Sequence, residues 1–293
     1  MFPQRMKHHA LCKRLREFGK VVVAFSSGVD STFLLQSALD VLGNQVLAVT
    51  AQSRLFPKRE FDEAVQFANE KGIEHVIIDF NAFNVDGLPS NPPDRCYRCK
   101  LALFSQIRRI ADERDIVHVI EGSNADDMHD YRPGMRAIAE LGILSPLRES
   151  GLTKQEIRRL SEERGLPTWN KPSAACLASR IPYGEEITVE RLTMIEAAEQ
   201  CLLSMGFRQV RVRLHGNLAR IEMGELDFHR LLSGAMREEI YVRFRELGFA
   251  YISADLLGYR VGSMNEVLAA EDGCVCKAET TAETQPEQKP GAQ

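Results

Sequence analysis

The chain of 293 residues is 44% hydrophobic and 27% charged, with a formal net charge of −4. These values are typical of a soluble globular protein of two domains and exclude a general electrostatic attraction to nucleic acid. The sequence contains no apolar run long enough for a membrane span or a secretion signal, so we expect a cytoplasmic protein with no membrane and no nucleic-acid partner. Its 7 cysteines are then expected to be thiols or metal ligands.

Residues 1–121 alternate short apolar runs with helical patterns. Strands are predicted at residues 21–25, 45–51, 75–80 and 117–121, and helices at 1–19, 33–42, 58–71 and 100–114. A further helix is predicted between Thr153, as its N-cap, and Gly165. This alternation predicts an α/β fold with a doubly wound parallel sheet, in which ligands bind at the carboxyl ends of the strands.

A short polar loop, residues 26–31, joins the first predicted strand to its helix. Backbone N–H groups and the positive end of the helix dipole meet there, which favours an anion. The loop lacks the lysine of a Walker sequence and the three glycines of a dinucleotide fingerprint, and an ordinary strand-to-helix turn is the alternative. The ends of neighbouring strands place Thr50, Ser53 and Gly122 at the same edge of the sheet.

Three aspartates, Asp126, Asp127 and Asp130, follow the fourth predicted strand. Carboxylates in this position could orient magnesium or a substrate. The alternative is an acidic loop that is simply solvated.

From Thr188 the rhythm changes to helix, strand, strand, helix, strand, which predicts a smaller α+β domain. These elements are predicted at residues 189–205, 209–214, 219–223, 225–247 and 250–254. We place the domain boundary within residues 166–186 and predict domains at 1–175 and 176–268. Residues 269–293 are rich in Glu, Thr, Gln and Pro, which predicts a disordered tail.

Cysteine spacing provides the second chemical signal. Cys96 and Cys99 form the two-thiol half-site typical of zinc or iron–sulfur sites and of redox pairs, and Cys176 is a third candidate. Three thiolates would leave one iron of a 4Fe–4S cluster without a protein ligand. A structural zinc completed by a histidine and a merely buried Cys176 are the alternatives, and Cys274 and Cys276 receive no assignment.

Several stretches, taken in order, together resemble the LarE-type ATP-dependent sulfur transferases of the PP-loop ATP pyrophosphatase superfamily. They are residues 26–31, Gly122-Ser-Asn-Ala-Asp-Asp127, Asp130-Tyr-Arg-Pro-Gly134, Trp169-Asn-Lys-Pro172, Cys176, Ser179-Arg-Ile-Pro-Tyr-Gly184, Val210-Arg-Val-Arg213 and Ala219-Arg-Ile-Glu222. The resemblance spans residues 21–265 and implies a PP-loop, adenine nucleotide hydrolase-like fold. Ser27 departs from the pattern, because the family usually has glycine there; if the position needs a positive φ, serine costs on the order of 1 kcal/mol.

The resemblance implies an enzyme that uses ATP and Mg²⁺ to adenylate a carboxylate of pyridinium-3,5-biscarboxylate mononucleotide and then replaces AMP with sulfur, during synthesis of the nickel-pincer nucleotide cofactor. Because Cys96 and Cys99 accompany Cys176, the chain resembles the subtype that carries a 4Fe–4S cluster. The resemblance also suggests a homo-oligomer and hand-over of the product to other enzymes of that pathway.

The site residues implied by the resemblance fall into four groups. ATP is assigned to Ser26, Ser27, Gly28, Val29, Asp30, Ser31, Thr50, Ser53 and Gly122; catalysis to Asp30 and Cys176; the cluster to Cys96, Cys99 and Cys176; and the substrate phosphate to Ser179, Arg180, Arg211 and Arg213. Arg211 and Arg213 share one face of a predicted strand, with a solvated sheet face as the alternative, and Glu199 and Glu222 could orient the arginines.

Two other functions remain open from the sequence. One is a different adenylating PP-loop enzyme, such as a tRNA thiolase or an amidotransferase-type synthetase, although the acidic balance disfavours RNA and the sequence shows no glutaminase domain. The other is an ATP-binding module with a structural zinc.

Overall fold

A computed structural model describes residues 3–129, 133–173 and 175–266. Asp130, Cys274, Cys276 and the predicted tail therefore lie outside the described residues. The chain forms one compact unit, Met1–Arg260, and a second unit, Val261–Gln293, whose described part contains a short 3-10 turn, Ser263–Asn265.

The first sheet has four parallel strands in the order β3-β2-β1-β4. The strands are β1 (Val21–Ala24), β2 (Val46–Gln52), β3 (Glu74–Asp79) and β4 (His118–Ile120). β1 pairs with both β2 and β4, and its three valines are fully buried. Because a strand that is covered on both faces must be apolar throughout, this arrangement confirms the predicted doubly wound sheet.

Ten α-helices surround the two sheets in the part of the chain that the structure describes. They are α1 (Pro3–Phe18), α2 (Val29–Leu42), α3 (Lys58–Glu70), α4 (Arg95–Asp112), α5 (Gly134–Glu140), α6 (Pro146–Glu149), α7 (Lys154–Glu163), α8 (Val189–Ser204), α9 (Glu225–Leu231) and α10 (Gly234–Glu246). α4 begins five residues before the predicted start, so Cys96 and Cys99 lie on its first turns. Thr153 is the N-cap of α7, as predicted, and forms a capping box with Glu156.

The second sheet contains β5 (Val210–His215), β6 (Leu218–Met223) and β7 (Tyr251–Ala254), in that order. β5 and β6 form an antiparallel hairpin, and β7 is parallel to β6. The single helix predicted at 225–247 is wrong, because Ser233 has extended backbone angles between α9 and α10. Serine before a glycine favours a new helix start over continuation.

Two apolar cores lie on opposite faces of the first sheet. One core packs Val21 and Val23 against α1, α2 and α7. The other contains Val22 of the first sheet and Val212 of the second sheet, together with helix residues such as Phe104 and Ile195. The second sheet therefore shares a core with one face of the first, while the division into domains at residues 175 and 176 stays a prediction.

Candidate functional site

The loop between β1 and α2 has the strained residue that the sequence suggested. Ser27 has a φ of +52° and is 1% exposed. Its hydroxyl donates to the Glu60 carbonyl oxygen at 2.7 Å. A buried hydrogen bond contributes about 0.5–1.5 kcal/mol, which offsets a left-handed serine's strain of about 1 kcal/mol.

Serine hydroxyl groups fix the shape of this loop. The Ser31 hydroxyl accepts from the Ser26 N–H at 3.3 Å and donates to the Gly28 carbonyl at 3.2 Å. Gly28 is the N-cap of α2, so the loop leads directly to the positive end of that helix. The first N–H groups of a helix have no partner within it, and they make this end of α2 suited to phosphate.

Gly122, directly after β4 and Glu121, lies against the start of α2. A Cβ atom at this position would be 3.0 Å from the Ser31 nitrogen and 3.2 Å from the Ser31 Cα. Only a glycine lets the two backbones approach so closely. Gly122 therefore allows the end of β4 to pack directly against the first turn of α2.

Thr50 and Ser53 lie at the carboxyl end of β2, as predicted. The Thr50 hydroxyl is buried, donates to the Phe25 carbonyl at 2.8 Å and lies 2.8 Å from Nε2 of His75. Ser53 Oγ accepts from the Leu55 N–H at 3.4 Å. Thr50 thus connects β1, β2 and β3 just below the loop.

Asp30, in the first turn of α2, pairs with a lysine that sequence reasoning missed. Lys154 Nζ lies 2.5 Å from Asp30 Oδ2. Burial raises the pKa of Asp30, although Lys154 opposes the shift. Lys154 follows the Thr153 N-cap, which was the available sequence signal, but nothing local indicates that α7 begins beside the loop.

The acidic loop after β4 adds carboxylates to the same place. Asp127 lies near enough to raise the pKa of Asp30, while Asp126 accepts from the Lys154 N–H at 2.8 Å. Oδ1 of Asp30 is buried without a hydrogen-bond partner of normal geometry among the described residues, and Asn124 is near it. An unpartnered carboxylate oxygen beside a second carboxylate fits Mg²⁺, which commonly binds one or two protein carboxylates together with substrate phosphates.

The three candidate cysteines share one neighbourhood. The pKa of Cys99 is raised by burial and by the charges of Cys176 and Cys96. The pKa of Cys176 is also raised by burial, while Arg95 opposes the shift. The N–H of Leu177 donates to the Leu55 carbonyl at 2.8 Å, so this segment lies beside the loop that follows β2.

Within residues 3–129, 133–173 and 175–266, no three His, Cys, Asp or Glu side chains are close enough together to hold a metal ion. The iron–sulfur cluster at Cys96, Cys99 and Cys176 therefore stays a prediction. Bound iron would favour the thiolate form of a cysteine such as Cys99, whose pKa is otherwise raised by burial and by its neighbouring thiols.

The predicted phosphate-binding arginines are buried and not on a solvated sheet face. Arg180 is 1% exposed and donates to both carboxylate oxygens of Glu199 at 2.8 and 3.0 Å. Arg213 pairs with Glu222 at 2.7 Å and donates to the Ser179 carbonyl. Glu199 and Glu222 thus orient two of the arginines, as the sequence suggested.

Arg211 differs from these two arginines. It donates to the carbonyl oxygens of Val210 and Ser173, and it makes no ion pair with a described residue. Burial lowers the pKa of Arg211, the neighbouring Arg180 adds to that shift, and the nearby Glu199 carboxylate opposes it. A buried guanidinium that makes no direct ion pair with a described carboxylate favours an anionic ligand.

A cavity of about 580 Å³ extends from the loop to these arginines. Its walls come from α3, residues 167–173, α8 and β5. They include Ser27 and Lys171 at one end and Arg208 and Arg211 at the other. A single pocket therefore contains part of the predicted ATP loop and two of the predicted phosphate ligands, Arg180 and Arg211.

Known proteins resemble this chain along most of its length, although no family model matches it. The pyridinium-3,5-bisthiocarboxylic acid mononucleotide synthase of Lactiplantibacillus plantarum is 38% identical over 265 residues, which cover 89% of this chain and 95% of that protein. This chain belongs to the LarE family of PP-loop enzymes. An uncharacterized protein of Synechocystis is 41% identical over 86% of this chain and 94% of its own length.

More distant relatives place the LarE family among the ATP-dependent PP-loop synthetases. A chain of the glutamine-hydrolyzing GMP synthase of Thermoplasma volcanium is 28% identical over 61% of this chain and 62% of its own length. The protein is therefore an ATP-dependent enzyme with a PP-loop fold, as the sequence predicted. No helix of the described residues has the length and apolar character needed to cross a membrane.

Proposed function

We propose that this LarE-family enzyme adenylates a carboxylate of pyridinium-3,5-biscarboxylate mononucleotide and converts it to a thiocarboxylate for nickel-pincer nucleotide synthesis. The observation that carries the proposal is the 38% identity across 95% of the bisthiocarboxylate synthase. The mononucleotide phosphate is assigned to Ser179, Arg180, Arg211 and Arg213. That assignment is supported by Arg211, which forms no ion pair with a described residue, unlike Arg180 and Arg213.

In this mechanism the loop at 26–31 binds the ATP phosphates through its backbone N–H groups. Asp30 and Asp127 would hold Mg²⁺, which neutralises phosphate charge when bound. Lys154 takes the place of the lysine that a Walker loop would carry, because its ammonium group already lies beside Asp30. A substrate carboxylate attacks the α-phosphate, pyrophosphate leaves, and the carbonyl of the acyl-adenylate is then open to a sulfur nucleophile.

The sulfur step is assigned to Cys96, Cys99 and Cys176. When bound by these thiols, a 4Fe–4S cluster would supply the transferable sulfur. Cys176 lies on the segment next to the loop that follows β2, which supports delivery of sulfur at the carboxyl edge of the sheet. AMP then leaves with the electron pair of the broken acyl–phosphate bond.

A pyrophosphate assay with the mononucleotide, run beside anaerobic iron and sulfide analysis, tests both steps. The parent should bind about four irons, release pyrophosphate and form thiocarboxylate. Asp30→Ala should abolish pyrophosphate release, whereas Cys176→Ala should release it and form no thiocarboxylate.

Three results would contradict this mechanism. Colourless protein with zinc and no pyrophosphate release would favour the ATP-binding module. Thiocarboxylate formation at the parent rate by Cys176→Ala would exclude the assigned role of that residue. A mass loss that converts Cys176 to dehydroalanine after turnover would replace cluster delivery by sacrifice of the cysteine.

A further inference from the structure

The ammonium group of Lys171 lies against the phosphate loop and not in solvent. Nζ donates to the Ser27 carbonyl oxygen at 3.0 Å and lies 3.2 Å from the Ser27 hydroxyl. It also contacts the carboxylates of Glu60, at 2.6 Å, and Glu63. The Lys171 side chain is 13% exposed. An ammonium group has three hydrogens, so these partners use its full donor capacity.

The contact with Ser27 acts on a peptide bond of the loop. The Ser27 carbonyl and the Gly28 N–H are opposite ends of one planar trans peptide. A donor that fixes the carbonyl oxygen therefore also fixes the direction of the Gly28 N–H. Positive charge at the oxygen polarises the peptide, which makes the N–H a stronger donor to an anion.

The contacts around Ser27 explain why the orientation of the Ser27–Gly28 peptide must be fixed by a neighbouring residue. Ser27 has the left-handed φ of +52°, a conformation that serine rarely adopts unless its neighbours impose it. The Ser27 hydroxyl donates to the Glu60 carbonyl oxygen, and Lys171 forms an ion pair with the Glu60 carboxylate. The residue is thus fixed from both its side chain and its main chain.

The backbone that carries Lys171 is itself held in place. Arg158 donates to the Lys171 carbonyl at 2.8 Å and to the Trp169 carbonyl at 2.7 Å. These two bonds connect residues 169–171 to α7, the helix whose first residue is Lys154. Lys171 therefore approaches the loop from a rigid element.

We propose that Lys171 is a positioning residue for ATP, which aims the Gly28 N–H at the phosphates through the Ser27–Gly28 peptide without touching the nucleotide itself. The inference deepens the ATP site of the proposed function and rests on ATP binding at residues 26–31. It is independent of the sulfur donor and of the mononucleotide.

Calorimetry tests the proposal by measuring two dissociation constants, one for ATP and one for adenosine, which lacks phosphates. Lys171→Met removes the ammonium group, and we expect it to raise the ATP constant about tenfold, the effect of one charge-assisted hydrogen bond. The adenosine constant should stay within about twofold of the parent value. Lys58→Met, at a surface pair whose lysine side chain is 78% exposed, is the matched control.

A second variant separates positioning from folding. Lys171→Met leaves the buried Glu60 carboxylate with its longer contact to Arg59, at 3.4 Å, whereas Lys171→Met together with Glu60→Gln removes that negative charge. The double variant should keep the urea midpoint of the parent and still bind ATP about tenfold more weakly.

Several outcomes would overturn the inference. An ATP constant within twofold of the Lys58→Met control would mean that Lys171 does not act on phosphate binding. If Lys171→Met weakened the binding of ATP and adenosine equally, Lys171 would have a general structural role. If the parent itself binds no ATP, the proposed function fails as well, whereas failure of sulfur transfer alone leaves this inference intact.

Discussion

At the scale of single residues, a buried ion pair between Arg180 and Glu199 contributes to the stability of the protein. Arg180 and Glu199 form a two-bond ion pair, and Glu199 Oε1 also accepts from the Val212 N–H at 3.0 Å. Burial raises the pKa of Glu199, but Arg180, Arg211 and the Val212 N–H together outweigh that effect, and the net pKa is lowered from 4.5. The carboxylate is therefore ionised in the folded protein at neutral pH.

Glu199→Gln should lower the free energy of unfolding by about 3–5 kcal/mol at pH 7, because it leaves Arg180 buried without its counter-ion. A carboxyl whose folded pKa is lowered stabilises the protein above its unfolded pKa and loses that contribution as the pH falls through the folded value. The difference in the free energy of unfolding between the parent and Glu199→Gln should therefore become smaller below pH 4.5. Urea unfolding between pH 3 and 8 measures this difference.

Glu162→Gln, on the exposed face of α7, is the control for that experiment and should stay within about 0.5 kcal/mol of the parent. If the difference in the free energy of unfolding between the parent and Glu199→Gln stayed constant down to pH 3, Glu199 would not be ionised in a pair with Arg180.

At the scale of elements, the site depends on how closely the end of β4 approaches the start of α2. Two backbones meet at Gly122 and Ser31, and neither can yield as a flexible side chain would. The capping box at Thr153 sets the start of α7 and so the position of Lys154. Helix starts therefore determine where the charged groups of the ATP site lie.

Gly122→Ala should cost about 1–3 kcal/mol of stability, because its Cβ would push the first turn of α2 away from β4. The same shift should raise the KM for ATP in the pyrophosphate assay. Gly234→Ala is the matched control, since a Cβ there meets nothing within 4 Å. If both variants have the parent's urea midpoint and KM, the close approach is not required.

At the scale of the whole molecule, the homo-oligomer stays a prediction, and exposed apolar side chains around the second sheet are the feature on which it can be tested. β7 is an edge strand, and its Tyr251 is 69% exposed. Other exposed apolar side chains of this region are Leu226, Leu232, Tyr241, Val242 and Leu256. An exposed apolar group beside a free strand edge favours association with another chain.

We expect the parent to have a molar mass in solution of at least twice the 33.0 kDa of one chain. Replacing Tyr251 and Leu256 with glutamate should lower that mass, because charge at this surface opposes its burial. Val117→Glu, at an exposed site on the first sheet's side of the chain, should leave it unchanged. Light scattering after size exclusion gives the mass, and a monomeric parent at all concentrations would show the prediction to be wrong.

The sequence by itself determined the βα alternation and the phosphate loop, because strand burial, helix period and turn chemistry are encoded by neighbouring residues. It marked Ser27 as a departure from the family pattern, and the structure supplied its positive φ. The sequence also determined the Thr153 cap, whereas the cysteines and arginines that it assigned to the site stay predictions. It did not indicate the break at Ser233, where cap and helix patterns compete within a few residues.

Only the tertiary structure decided that Lys154 meets Asp30 and that Lys171 meets Ser27, pairs separated by 124 and 144 residues. It also decided that Arg180 and Arg213 are buried in ion pairs, whereas Arg211 makes no ion pair with a described residue. Such contacts depend on which strands become neighbours and where each helix starts relative to the sheet, and no local pattern carries that information.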